Sequence, residues 1–331
     1  MASAPPPPCD GPLSPTKDSK AKGAVLGLAW GEARSGGPGR ATLQALALAG
    51  ASLEHRPWAL GAWVCWLLAG QREGVWRDGD RFLEEALMRL RRGEPPERTG
   101  FPTPRIGPAA RVGPLGVLLR GDPASLLTAT LESSLVTHAD LRAGVFAFAV
   151  AYAVARLVDG DEPVDVVAVL PDAVRGVEES WTLPRQPLWE RDHGAPHAVS
   201  ETMREVFHAF PPKERAVLDP SRLRARVVLQ ARPHMAKHGI AHPNGPFVLL
   251  GGMHALSMAL LSPLAPGAVL DEIAAQGGGE AALVGAIAGT ILGARYGTDW
   301  VGDVPDRVRR WADAIARGVR AEDRDEFVRA G

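Results

Sequence analysis

Apolar residues recur at three- and four-residue intervals through most of this chain, and strand-like alternation is nowhere sustained. That spacing predicts helices over 23–33, 41–54, 58–71 and 81–91, the last opened by Asp80 as an N-cap before Arg81. It predicts further helices over 123–135, 139–157, 163–178, 199–210, 247–261, 267–276, 281–296, 305–318 and 321–329. Two regions break the pattern: Gly93 to Pro108, rich in Pro, Gly and Arg, and Leu183 to Pro196, a proline-rich stretch near Trp181 and Trp189. Long connections like these either carry function or cover the surface, fastened by their aromatic residues. Residues 1–20 hold five prolines before residue 15 and too little apolar surface to offset ordering, so they read as a disordered lead. One all-α domain over 21–331, its loops gathered on one face, is the expected architecture.

Composition narrows the picture. The 331 residues, 46% of them hydrophobic, can bury a large core. Lys and Arg number 37 against 38 Asp and Glu, for a net charge of −1, so no basic excess points to nucleic acid or an anionic membrane as a partner. Cys9 and Cys65 are the only cysteines and supply neither a disulfide framework nor a cysteine zinc site. The start lacks the basic and apolar regions of a secretory signal, so a cytoplasmic location is expected. The preference for Arg over Lys, with much Ala, Gly and Pro, is that of a GC-rich bacterial coding sequence. Pro57 to Gly70 falls short of a membrane span of roughly 20 residues, and Phe247 to Leu270 is broken by Gly251, Gly252, Pro263 and Pro266. Both are expected to be buried helices.

The chemistry sits in five short segments. Gly23-Ala-Val-Leu-Gly27-Leu-Ala-Trp-Gly31-Glu32-Ala33 spaces its glycines for close helix approach. Gly39-Arg40-Ala41-Thr42 opens a helix, and Gly107-Pro-Ala-Ala-Arg111-Val-Gly-Pro114-Leu115-Gly116 follows the first long connection. Ser134-Leu-Val-Thr137-His138-Ala-Asp140 precedes a small-residue helix. The stretch from Gly277 to Gly297 reads Gly-Gly-Gly-Glu-Ala-Ala-Leu-Val-Gly-Ala-Ile-Ala-Gly-Thr-Ile-Leu-Gly-Ala-Arg-Tyr-Gly.

In this order the segments resemble the ADP-ribosylglycohydrolases. Glu32 stands where that family has aspartate, and Gly39, Arg40, Ala41 and Thr42 stand at its Thr-Asp-Asp-Thr. Glu280 and Ala282 fall on the two aspartates of its Gly-Gly-Asp-Thr-Asp-Thr, with Leu283 on the second threonine. The family's asparagine before Arg111 would fall near Arg105 or Ile106. The resemblance implies an all-α orthogonal helical fold and a pocket for an ADP-ribosyl or ribosyl-nucleotide small molecule, or an ADP-ribosylated protein. It also implies two magnesium or manganese ions held by the two aspartate-rich motifs. Hard divalent cations need several carboxylate oxygens, and the six corresponding positions here are Gly39, Arg40, Ala41, Glu280, Ala282 and Leu283. No metal cofactor is therefore expected.

On this footing Glu280, Glu32 and His138 are the candidate catalytic residues, and Arg40, Thr42, Arg111, Gly278 and Gly279 the candidate substrate contacts. Each has a plainer alternative: Thr42 as a helix-start residue, His138 as a cap or core histidine, Arg40 as a solvated cation, Arg111 as an organiser of helices. Two functions stay open. One is a metal-independent glycosidase cleaving a ribosyl or ADP-ribosyl N-glycosidic bond, with a small nucleotide-derived metabolite among its candidate substrates; the other is a catalytically silent ADP-ribose- or nucleotide-binding or scaffold protein. Asp192, His193 and His197 form a weaker third candidate in the second long connection.

Overall fold

The computed structural model describes residues 15–37, 39–56, 58–76, 80–182, 197–235 and 241–319. Its α-helices are α1 (Lys17–Arg34), α2 (Arg40–Glu54), α3 (Leu60–Arg72), α4 (Arg81–Arg91), α5 (Gly107–Arg111), α6 (Gly113–Leu118), α7 (Pro123–Leu135) and α8 (Leu141–Asp159). They continue as α9 (Pro163–Val177), α10 (Ala198–His208), α11 (Pro212–Arg215), α12 (Pro220–Ala231), α13 (Met253–Leu261), α14 (Pro266–Ala275), α15 (Ala281–Tyr296) and α16 (Asp306–Arg317). No strand occurs among the described residues; Phe101 with His138 and Arg105 with Phe247 form isolated bridges. The fold is all-α, as the periodicity predicts.

The helix expected over 321–329, residues 1–14 of the lead expected over 1–20, and the loop holding Asp192 and His193 lie outside the described residues, while residues 17–20 of that lead form the first turn of α1, where Thr16 Oγ1 accepts from the Ser19 N–H. Elsewhere the differences have local causes. α12 is not predicted because its apolar stripe is thin: only Leu223, Val227 and Ala231 are buried, while Asp219 caps its start by accepting from the Ser221 N–H. The predicted 247–261 helix begins with a π-helical turn over Val248–Gly252. There a Cβ at Gly251 would overlap the Gly245 carbonyl, and one at Gly252 would press on the Phe146 ring. Backbone packs where side chains would ordinarily stand.

α8 is the hub. Its sequence, LRAGVFAFAVAYAVARLVD, is apolar around nearly its whole circumference, and 83% of its most apolar window is buried inside the protein. By length and composition alone it is the one helix among the described residues that could cross a membrane, yet here it lies in the centre of the core. Asp140 caps it by accepting from the Arg142 N–H, and Gly160, at φ 112°, ends it in the left-handed region.

α1 and α15 run antiparallel at backbone contact. Gly23, Gly27 and Gly31 of α1 oppose Gly293, Gly289 and Gly285 of α15, and a Cβ at any of the six would overlap the facing backbone. The glycine spacing thus serves packing, and Thr290 Oγ1 fastens the seam by donating to the Ala24 carbonyl at 2.8 Å. Because α1 ends where α15 begins, the seam brings the Glu32 end of one helix beside the Glu280 end of the other.

Candidate functional site

A cleft of about 410 Å³ opens at that end of the seam, lined by Arg40, Asp80, Arg81, Phe82, Arg105, Ile106, Gly107, His138, Gly279, Glu280 and Leu283. Most of these residues start helices. Arg40 opens α2, Asp80 and Arg81 open α4, Ile106 and Gly107 open α5, and Glu280 is the N-cap residue of α15. Helix N-termini carry the positive ends of their dipoles, so their convergence lends the cleft a positive potential, offset at α2 and α4 by the Glu32 and Asp80 carboxylates that cap them. Three arginines against two carboxylates reinforce that sign. Asp80 accepts from the N–H groups of Phe82 and Leu83 at 3.0 and 3.4 Å, which fixes its carboxyl at the cleft margin.

Glu280 is paired with Arg105, whose guanidinium also lies over the Phe82 ring, 5.1 Å from its centroid. Burial raises the Glu280 carboxyl above its ordinary pKa, with the nearby Asp80 charge in the same direction and Arg105 opposing both. Its position depends on the glycine turn before it. Gly277 and Gly278 both take positive φ, 61° and 93°, and a Cβ at Gly278 would stand 2.7 Å from the His242 ring. Asn244 braces the same turn: its Nδ2 donates to the carbonyls of Ile273 and Gly277, each at 2.7 Å, and its Oδ1 pairs with His254 Nδ1 at 3.0 Å. Burial drives His254 down to about 3, so it stays neutral and donates from Nδ1 to the Asn244 carbonyl oxygen.

His138 is 2% exposed and meets Phe82 at 5.4 Å between ring centroids. Its Nδ1 lies 2.9 Å from Thr137 Oγ1, which accepts from Arg111 at 2.9 Å. The Thr137 hydroxyl has one proton, and the imidazole at 2.9 Å is a better acceptor for it than the Ser134 carbonyl at 3.5 Å. Nδ1 is then the acceptor and Nε2 carries the hydrogen. Burial, followed by the charges of Arg111 and Arg105, holds the imidazolium well below its ordinary range. A neutral Nε2–H donor results, backed by Gly107, where a Cβ would come within 3.3 Å of Nε2 and 3.1 Å of Cε1.

The cleft unites Glu280, His138, Arg40 and Gly279 from the sequence candidates, and corrects the placement of the others. Glu32 is 1% exposed and spends its carboxylate on α2: Oε1 accepts from the Ala41 N–H at 3.0 Å, and Oε2 from the Thr42 N–H and Oγ1 at 2.8 and 2.7 Å. With glycine at the N-cap position, α2 has no cap of its own and borrows one from α1. Glu32 and Thr42 therefore stabilise each other away from the cleft. Arg111, 1% exposed, donates to Gln44 Oε1, the Ser133 carbonyl and Thr137 Oγ1, each at 2.9 Å, and burial lowers it to about 10. It reaches the cleft only through Thr137 and His138. Gly278 shapes the turn without lining the cleft. His197 sits 3.8 Å from Glu178, another buried carboxylate that caps a helix from outside, accepting from the Val199 N–H at the start of α10.

Asp80, Arg81, Phe82 and Arg105 were not among the sequence candidates. Arg105 left a faint trace, since it falls where the resemblance expects a polar asparagine; the start of α4 left none beyond the capping aspartate.

The donor set fits a dinuclear divalent centre poorly. Of the two motifs' side chains only Glu280 offers a carboxylate, already engaged by Arg105, while Arg40 brings positive charge and Leu283 an apolar surface. Ala282 is hemmed in by the chain at Gly37, where a Cβ would stand 2.8 Å from the alanine methyl. No cluster of three or more His, Cys, Asp or Glu suited to a metal occurs among the described residues.

Fold and cleft together define an all-α protein with a polar pocket at converging helix starts. Comparison with known proteins gives its family: the ADP-ribosylglycohydrolase sequence profile matches residues 13–329, and the chain belongs to that family. A solved structure titled "ADP-ribosylglycohydrolase-related protein complex" is similar over 92% of this chain and 98% of its own, with TM-score 0.55 and 20% identity, a likeness of fold. No curated protein matches the chain.

Proposed function

We propose that this protein is a glycosidase that cleaves the N-glycosidic bond of a ribosyl or ADP-ribosyl compound without the family's metal pair. Family membership supports the hydrolase class, and the observation that carries the metal-free reading is the pairing of Arg105 with Glu280 at the end of the seam, in a cleft that Asp80 also lines. Glu280, its pKa raised by burial, gives its proton to the departing nitrogen as the bond to the anomeric carbon breaks. Asp80 stabilises the oxocarbenium-like centre and takes the proton of the water whose oxygen bonds to that carbon. The neutral His138 donates from Nε2 to a ligand oxygen and fixes the ligand's orientation. A reducing cytoplasm is the compartment that suits an enzyme with a free, exposed thiol such as Cys65.

Glu280→Gln keeps the size and removes the acid. Turnover of the preferred ribosyl compound should fall by about 100-fold or more, in line with the loss of a general acid, while binding persists. Unchanged turnover in this variant overturns the assignment. The Arg105 pairing also supports a second reading, a binding protein without turnover, because a carboxylate held by guanidinium is a weaker proton donor; wild-type binding with no product release selects it.

A further inference from the structure

The chemistry of the cleft specifies more of the ligand than the bond to be cut. Arg40, Arg81 and Arg105 reach one cavity from three separate segments, and the arginine fork suits oxyanions with two acceptor oxygens. α15 begins at the same cavity with no side-chain cap on its first turn. His138 supplies an independent sign: its side chain is almost wholly buried and lines the cleft, and its Nε2–H has no hydrogen-bond partner among the described residues. With its side chain packed on every other side, this donor has only the cleft in which to find an acceptor. All of these groups donate, and the two carboxylates already have donors, Asp80 from the start of α4 and Glu280 from Arg105.

We infer that the cleft seats a phosphate group of the ligand, with Arg40 and Arg81 as its main charge partners and His138 Nε2–H as a directional donor, in the region where the resemblance would put a metal pair. The inference rests on the proposed ribosyl-binding reading and narrows it: the preferred ligand is a phosphorylated ribosyl compound. The phosphate takes the place of the cations in organising the site, with the sign of the protein's own charges reversed to suit it. Arg40 is the residue in which that reversal is written, being a guanidinium at a position expected to hold an aspartate.

Isothermal titration of the full chain with ribose, ribose 5-phosphate, inorganic phosphate and ADP-ribose, at low and high salt, tests the inference. Ribose 5-phosphate should bind at least about 10-fold more tightly than ribose, inorganic phosphate should compete with it, and the preference should shrink with salt. Arg40→Ala and Arg81→Ala, both at exposed positions, should each reduce the preference for ribose 5-phosphate over ribose by about 10-fold or more. Helix content and thermal midpoint confirm that the variants are folded. Equal affinity for ribose and ribose 5-phosphate, or arginine variants that bind both as wild type does, overturns it. Phosphate binding without hydrolysis would leave this inference standing and refute the glycosidase, whereas cleavage of unphosphorylated ribosides with no competition by phosphate would do the reverse.

Discussion

Glu32 Oε2 lies 2.7 Å from Thr42 Oγ1 and 2.8 Å from the Thr42 N–H, so the last turn of α1 caps the first turn of α2. Two residues that the sequence suggests for chemistry are partners in a helix cap. The arrangement also sets Arg40, two positions before Thr42, at the lip of the cleft.

Glu32→Ala leaves three donors, two of them backbone N–H groups, without their buried acceptor. It should destabilise the protein by about 1–3 kcal/mol, read as a lower urea midpoint. Thr42→Val should cost less, and the two losses should be strongly non-additive in a double-mutant cycle. If Glu32→Gln kept full stability but lost all ligand binding, the capping assignment would be wrong.

At Gly289 a methyl group meets the Gly27 carbonyl of the facing helix, with backbone on both sides and nothing flexible to move. Gly289→Ala should cost about 3 kcal/mol or more and lower ligand affinity, because the seam aligns Glu280 with the rest of the cleft. Ala at half-buried Gly267, where a Cβ meets nothing within 4 Å, is the control and should be neutral or slightly stabilising.

His138 should stay neutral across the range in which an ordinary histidine titrates, with hydrogen on Nε2. Nitrogen-15 NMR of the ring distinguishes this from the other tautomer and from imidazolium. Thr137→Val removes the donor that fixes it and the acceptor for Arg111, and should perturb the tautomer, weaken ligand binding and cost about 1–3 kcal/mol of stability. A titration of His138 near pH 6.5 in the folded protein would contradict the geometry.

Glu178 gives a pH signature independent of function. Burial raises its carboxyl to about 7, partly offset by hydrogen bonds from Ser200 and Val199. The folded state therefore holds this proton more tightly than the unfolded chain, so the contribution is present in full below about pH 4.5 and lost as pH rises towards 7. The loss amounts to at most about 3 kcal/mol. Glu178→Gln should flatten this part of the stability profile between pH 5 and pH 8, measured by thermal midpoints; an unchanged slope would show that the proton is elsewhere.

The helices were legible because their buried stripes are dense: α4 places Leu83, Ala86, Leu87 and Leu90 on one face, and its bounds follow from Asp80 and the periodicity alone. α12 escaped because three buried residues in an arginine-rich segment leave little periodic signal. In the site, Glu280 and His138 were readable as polar residues at helix starts, but their setting was not. Whether a carboxylate at a helix start faces solvent, a ligand or another helix's N–H groups depends on contacts distant in sequence, and Glu32 met the last of these. Arg105 and Arg81 joined the cleft through the folding of the first long connection and of the start of α4, which no local pattern encodes.

The central claim is that hydrolysis here needs no divalent cation, and one measurement bears on it most directly. Purified protein is incubated with ADP-ribosyl arginine, NAD and ribosyl nucleotides, each with and without excess chelator, and product release is followed by chromatography. The account predicts release from at least one of these compounds at the same rate in both conditions. Release that chelator abolishes and magnesium or manganese restores would contradict it.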